Sequence, residues 1–551
     1  MTDEAFHCPL QQSRKLPVSF AHSDTGIGAA AVWINLTSRQ QEGFGVDRSD
    51  EISQNAIAGL PLDLSPGQVS EILTKTQRFL VETVDAIAGQ QSFVPPLIRT
   101  KTSEPAGFPE TGQDFSSLLQ EIALAAEEGD CISSAGYMAY VPNGGIVMPA
   151  VADLISGVLN RFTGLKAASP SLLALEEEAL RWLTGIVGWD GRSAAILTSG
   201  ASLATVSALA CARDRAPADV LDRGTIYVSD ESHFAVLKAA RLIGIRQDQI
   251  RVIETNGFGR FDVDAAKKAI TADVSGGLLP FCLVATAGSA SNGAIDPLNA
   301  LADLALEYNL WLHVDAAYGG FFCLTKRGLA RLTGIERADS IVMDLHKGLF
   351  FPFGTGSLLV RDVTALRRVH QKPAAASYIQ DLCDVAVPER LDLSDLTPEL
   401  TRQFRGLRLW LALKLHGVAS FRNKLDQKLD LARHAFARLT RIQNLEVDEP
   451  DLTIVTFRMR NRLRDYDSDR GTQFLMNAVN RSGDVHISSS RIHGRLTGRI
   501  AILGHRTSQA HVDTVVDRID AAMQLMLAMD DGDDPDDLDI KLNKSDIALS
   551  D

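Results

Sequence analysis

Trp311-Leu-His-Val-Asp-Ala-Ala-Tyr-Gly-Gly320, followed closely by Ser340-Ile-Val-Met-Asp-Leu-His-Lys347, decides how this chain is read. Each stretch opens on a short, mostly apolar run that ends in Asp, as expected of a strand covered on both faces. Three further runs have the same form and end in Thr or Ser: Ala194-Ala-Ile-Leu-Thr198, Thr225-Ile-Tyr-Val-Ser229 and Phe281-Cys-Leu-Val-Ala-Thr286. Between about Val187 and Val360 these runs alternate with longer helical patterns, which predicts an α/β unit with a mainly parallel sheet. Ligands bind such sheets beyond the carboxyl ends of the strands, so a site built from strand ends is expected.

Outward from this unit the patterning changes. Residues 1–60 mix Gly, Ser, Gln and short apolar pieces without a sustained period and read as an N-terminal arm. Residues 61–134 form a helical segment broken by Phe93-Val-Pro-Pro-Leu97, and the large domain covers 135–420. Residues 421–529 read as a small α+β C-terminal domain, with strands expected at Leu452-Thr-Ile-Val-Thr-Phe457 and Arg499-Ile-Ala-Ile-Leu503 and a helix near His511 to Leu527. Residues 530–551 form an acidic tail, read as solvated and mobile, in which nine Asp face Lys541 and Lys544 and supply half of the net charge of −14.

Composition excludes several classes. At 551 residues, 45% hydrophobic and 23% charged, the chain suits a conventional globular protein of several compact units. The acidic balance disfavours nucleic acid. No apolar run is long enough to span a membrane, and Met1-Thr-Asp-Glu-Ala-Phe-His-Cys8 lacks a basic flank leading into an apolar stretch, so a cytoplasmic protein is expected. Six scattered cysteines without a C-x-x-C pair suggest neither a disulfide framework nor a metal site.

Three constellations could carry chemistry. Lys347 sits among apolar residues, where partial desolvation makes a lysine nucleophilic toward carbonyl compounds, although an isolated lysine is ordinarily a solvated charge. Asp315 ends a buried strand before small residues that leave room for a flat ligand. It either caps the next turn or pairs with a buried cation such as a protonated pyridine nitrogen. Leu197-Thr-Ser-Gly-Ala-Ser-Leu-Ala-Thr205 runs from a strand through small residues into a helix, where backbone N–H groups can approach a phosphate.

In this order and spacing the three resemble the group II amino-acid decarboxylases dependent on pyridoxal phosphate, which include aromatic-amino-acid, glutamate and histidine decarboxylases. The resemblance runs from about Ala135 to Thr507. It takes in Gly136-Tyr-Met-Ala-Tyr140, Ala168-Ser-Pro170, Leu175-Glu176, Trp182-Leu183, Ser229-Asp-Glu-Ser-His233, Ala285-Thr-Ala-Gly-Ser289, Asp344-Leu-His-Lys347 and Arg402-Gln-Phe-Arg-Gly-Leu-Arg-Leu-Trp410. It implies an α/β protein of pyridoxal-phosphate fold type I, aspartate-aminotransferase-like, with 135–420 as the cofactor-binding domain, working as a homodimer with active sites at the interface. It also implies that Lys347 holds the cofactor through a Schiff base and Asp315 pairs with the pyridine nitrogen. Ala317 and His233 would lie on the two ring faces, and Thr286 near the ring oxygen. Gly200, Ala201, Ser202 and His346 would contact the phosphate, and Tyr378, on a loop beyond the lysine, would protonate the α-carbon. His233 and Thr286 also have plain readings, as a capping histidine and a strand-end residue.

The implied activity is decarboxylation of an L-amino acid to its amine. Phe350 to Phe353, with Tyr137 and Tyr140, hint at an apolar side-chain pocket, or else at core packing. Decarboxylation coupled to oxidative deamination, giving an aldehyde, is the alternative. In relatives that outcome is associated with replacement of the residues matching Tyr378 and His233, and both are present here. A carbon–carbon lyase on the same scaffold and a non-catalytic homologue are further readings. Leu345, where many relatives have Pro, and Gln403, within what is often an Arg pair, depart from the family pattern without removing a catalytic group.

Overall fold

The computed structural model describes residues 60–94, 107–371, 392–461, 463 and 467–528. The arm up to residue 59, the acidic tail and Tyr378 lie outside the described residues. Described residues within 62–108 and 113–528 belong to one compact unit.

The centre of this unit is a seven-stranded sheet of β1 (Ala194–Thr198), β2 (Gly224–Ser229), β3 (Ile250–Ile253), β4 (Leu279–Thr286), β5 (Trp311–Asp315), β6 (Ser340–Asp344) and β7 (Gly356–Val360). The spatial order is β1-β7-β6-β5-β4-β2-β3. Pairing is parallel from β6 through β5, β4 and β2 to β3, whereas β7 runs antiparallel to both of its neighbours. Every residue of β2, β5, β6 and β7 is buried, which is why these strands carry no polar alternation. Helices including Ala201–Arg215 and Leu298–Glu307 pack on the sheet, the first burying a run of small residues from Ala204 to Ala212.

A second sheet, in the order β10-β11-β9-β8, comprises β8 (Leu445–Val447), β9 (Ile454–Met459), β10 (Ser488–Ile492) and β11 (Arg495–Ala501), all antiparallel. It packs with the helices Ser468–Asn480 and Gln509–Ala528 around its own hydrophobic cluster. The long helix Gly406–Leu439 serves both cores: Phe421, Leu425 and Leu429 pack into the first cluster and Leu431, Ala432 and Ala435 into the second. It is bent at Gly417, whose φ of 71° lies in the left-handed region. Lys428, on the same helix, is fully buried and donates from Nζ to Thr507 O at 2.6 Å.

The helix Pro66–Ile87 begins at a capping box between Ser65 and Gln68 and buries none of its residues, leaving Val69, Leu73, Leu80, Val81 and Val84 exposed. Among the described residues no helix is long and apolar enough to cross a membrane.

Candidate active site

The carboxyl ends of β1, β4, β5 and β6 open into one cavity of about 520 Å³, and nine of the ten site residues expected from the sequence line it: Gly200, Ala201, Ser202, His233, Thr286, Asp315, Ala317, His346 and Lys347. The tenth, Tyr378, is outside the described residues. Asp315 closes β5, where its Oδ1 accepts from Ala317 N at 3.1 Å, so the carboxylate caps its own turn and lines the cavity at once. His233 is likewise both a cap and a wall: its Nδ1 accepts from Ala235 N at 3.2 Å at the start of the helix Phe234–Leu242. That bond fixes the unprotonated nitrogen and leaves Nε2 to carry the proton. Burial holds the His233 imidazole below its ordinary range, against the opposing pull of Asp315.

Lys347 lies in a single helical turn, Leu345–Gly348, directly after β6. Its Nζ is 3.1 Å from Asp344 Oδ2. Next to it His346 contacts Thr355 O from Nδ1 at 2.9 Å and is kept largely neutral by burial. Thr286 ends β4 and is braced by Asp296, whose Oδ2 accepts from Thr286 N at 2.6 Å, while the Thr286 hydroxyl is buried without a partner. Beyond β1 the helix Ala201–Arg215 starts at Gly200 without a side-chain cap. A side chain at Gly200 would stand 3.3 Å from His346 Cε1, and one at Gly356 would stand 2.6 Å from Gly200 Cα, so glycine keeps this helix start open and close-packed.

These features fit pyridoxal phosphate. An uncapped helix N-terminus takes a phosphate, a partnerless buried hydroxyl waits for a polar group, and a carboxylate and a lysine face the same space.

Sequence reading missed Arg499. It lies on β11, is 6% exposed, and reaches the same cavity from the second sheet. Its guanidinium donates to Ala139 O at 2.9 Å, to Ser488 Oγ at 3.1 Å and to Ala290 O, and lies 5.5 Å from the centre of the Tyr140 ring. No carboxylate is paired with it among the described residues. The available signal was a cation heading an otherwise apolar strand, Arg499-Ile-Ala-Ile-Leu503. The aromatic hint resolves into two parts: Tyr140 lines the cavity, whereas Phe350 and Phe351 are core residues and Tyr137 packs against His486.

Comparison with known proteins agrees with this geometry. Residues 98–460 match the model of the pyridoxal-dependent decarboxylase conserved domain. The chain is 31% identical over 429 residues to an aromatic-L-amino-acid decarboxylase of Bacillus atrophaeus, covering 77% of this chain and 88% of that one. It is 27% identical over 403 residues to a phenylacetaldehyde synthase of Petunia hybrida, covering 69% and 79%. The crystal structure of the Oryza sativa TDC with PLP and tryptamine superposes with a TM-score of 0.75 at 26% identity, over 84% of this chain and 99% of that one. The sheet is therefore that of pyridoxal-phosphate fold type I, and a family match over more than half of the chain, on a cavity that fits the cofactor, places this protein among the pyridoxal-dependent decarboxylases.

Proposed function

We propose that this protein converts an aromatic L-amino acid to its amine and carbon dioxide, and that the residues gathered in the cavity act as follows. Bound pyridoxal phosphate supplies an electron sink for the pair left on the α-carbon as carbon dioxide departs. Lys347 would hold it through its side-chain amine. Asp315 keeps the pyridine nitrogen protonated, Thr286 donates toward the ring oxygen, and Ala317 and His233 confine the ring. The helix start at Gly200, Ala201 and Ser202, with His346, receives the phosphate. Arg499, a buried cation facing the same space, attracts the substrate's negative charge, and Tyr140, Val141, Pro142 and Tyr318 offer an apolar wall to its side chain. Tyr378 returns a proton to the α-carbon.

The observation that carries this reading is the meeting of Lys347, Asp315, Thr286 and an uncapped helix start in one cavity, from four strands scattered along the chain. The aromatic preference rests on the relatives, of which the Bacillus atrophaeus protein is named for that substrate class. Carbon dioxide release from each common L-amino acid, with products identified by mass, tests it. An amine from one or more aromatic substrates is expected. Absence of release in protein that shows the absorbance of lysine-bound cofactor overturns the aromatic substrate in favour of an uncommon amino acid or a carbon–carbon lyase, and absence of that absorbance favours a non-catalytic homologue.

An aldehyde product is the second reading, favoured by the similarity to phenylacetaldehyde synthases. Against it stand His233 in the cavity and Tyr378 in the sequence. A positioned acid is worth about two to four powers of ten in rate, so Tyr378→Phe is expected to lower amine and raise aldehyde; an unchanged amine yield removes Tyr378 from the mechanism. The exposed apolar positions of Pro66–Ile87, together with Leu154 and Val158 on Val147–Leu159 and Phe353 near His346, support a homodimer, which light scattering tests directly.

A further inference from the structure

One buried carboxylate in the cavity has no task in this scheme. Asp344 ends β6, its side chain 3% exposed, and Oδ2 lies 3.1 Å from Lys347 Nζ and 3.4 Å from His346 Nε2. Its Oδ1 is buried without a hydrogen-bond partner. The carboxylate cannot retreat on that side: Gly356 pairs with Asp344 across β6 and β7, and a side chain there would collide with Oδ1 and with the backbone of Gly200.

A buried carboxylate left unpaired is costly, and here its strongest available partner is the lysine ammonium. His346 and His233, the other titratable groups beside Lys347, are both held below their ordinary range by burial and so are largely neutral at pH 7. Asp315 from β5 lines the same cavity, as does Arg499 from β11, whose charge opposes a second cation. Among the described residues Asp344 is the one carboxylate within ion-pair distance of Lys347 Nζ.

We propose that Asp344 is the counter-ion of Lys347, holding the lysine as an ammonium whenever it is not joined to the cofactor and thereby setting the pH at which it captures the cofactor. This rests on the reading of Lys347 as the lysine that carries pyridoxal phosphate. Capture joins the lysine nitrogen to the aldehyde carbon with loss of water, and it requires the neutral amine, so the proton held against Asp344 must first leave. In exchange with substrate, a carbon–nitrogen double bond to the substrate amine forms as that to Lys347 breaks. Two protons leave the substrate's ammonium and two arrive on Lys347, which returns to Asp344 as an ammonium. The carboxylate slows capture at neutral pH and favours lysine release during turnover.

The test is the initial rate at which full-length protein, stripped of cofactor, develops the absorbance of lysine-bound cofactor when pyridoxal phosphate is added, measured against pH. An opposite charge at this range moves a lysine by roughly 1–3 pH units. Asp344→Asn is therefore expected to shift the midpoint of the rate profile down by about that much and to speed capture at pH 7 by about tenfold or more. Equal midpoints in Asp344→Asn and the unsubstituted protein overturn the proposal. If that variant does not fold, Asp344→Ser is measured in the same way: a lowered midpoint supports the proposal and an unchanged one overturns it. Lys347→Ala separates this from the parent reading, because absorbance that persists in that variant overturns the role of Lys347 itself.

Discussion

Replacing Lys428 by methionine is expected to stabilise the protein in a strongly pH-dependent way. Lys428 is completely buried on Gly406–Leu439, with Thr507 O as its hydrogen-bond partner and no carboxylate in ion-pair contact among the described residues. Burial, reinforced by Lys424, pushes its pKa from 10.5 down to about 7. At about 1.4 kcal/mol per pH unit, that drop corresponds to a cost on the order of 5 kcal/mol when the buried lysine is charged. Methionine matches the stem in size but leaves Thr507 O unsatisfied, a loss of about 1–3 kcal/mol, so the net gain at pH 6 is about 2–4 kcal/mol. Below pH 7 both the folded and the unfolded lysine are protonated and the full cost applies. Between about 7 and 10.5 the unfolded chain binds more protons than the folded one, so the native protein's stability climbs with pH and the methionine advantage shrinks. Above 10.5 both forms are neutral, and methionine becomes the poorer residue by the lost hydrogen bond. Thermal midpoints of the holoprotein and the variant at pH 6, 8 and 10 read this directly. A difference between the two that does not change with pH would refute the reasoning.

Other substitutions probe the site. Gly356→Ala places a methyl against the backbone of Gly200 and is expected to raise the dissociation constant for pyridoxal phosphate by about tenfold or more, as measured by equilibrium dialysis. Retention of full affinity would show that the helix start at Gly200 does not hold the phosphate. Gly144→Ala brings a side chain to 2.5 Å from the carbonyl of Phe350, a residue held in left-handed conformation at φ 61° and bound through that carbonyl to Gly145 N and Ile146 N. A loss of about 1–3 kcal/mol is expected, read as a lower thermal midpoint. Arg499→Gln removes a charge-assisted contact worth about 1.5–3 kcal/mol, so KM is expected to rise by about 10- to 100-fold with bound cofactor unchanged; an unaltered KM places Arg499 in the scaffold alone.

The central strands were legible because burial on both faces leaves an unbroken apolar run, as in Ala194–Thr198, Trp311–Asp315 and Ser340–Asp344. Two strands were not. β3, Ile-Arg-Val-Ile, is a four-residue edge strand that exposes its middle, and β7, Gly-Ser-Leu-Leu-Val, follows Gly354 closely enough to read as loop. Asp315, closing an apolar strand, and Lys347, just after another, could be picked out from the sequence itself, and Thr286 through the family resemblance. Arg499 could not, because it enters from the second sheet, and nothing local shows which distant strand a buried cation will face. Asp344 was visible as a strand terminus, yet its 3.1 Å approach to Lys347 depends on the turn that follows it.

The single reversed strand also dictates when a binding-competent chain can exist. β1 and β6 end beside the same cavity but never pair with each other; each pairs with β7, which lies between them. Gly200 is made long before β7, whereas Lys347 precedes it by only nine residues, so the two cannot be brought side by side until the stretch up to Val360 has been made and has left the ribosome. Loop closure over the intervening residues carries its entropic cost before any contact rewards it, so this pairing is a late and slow event. A nascent chain ending before Gly356 should therefore leave pyridoxal phosphate in solution, and one extended past Val360 has the first opportunity to retain it. Cofactor loading in this sense reports that the central sheet is complete.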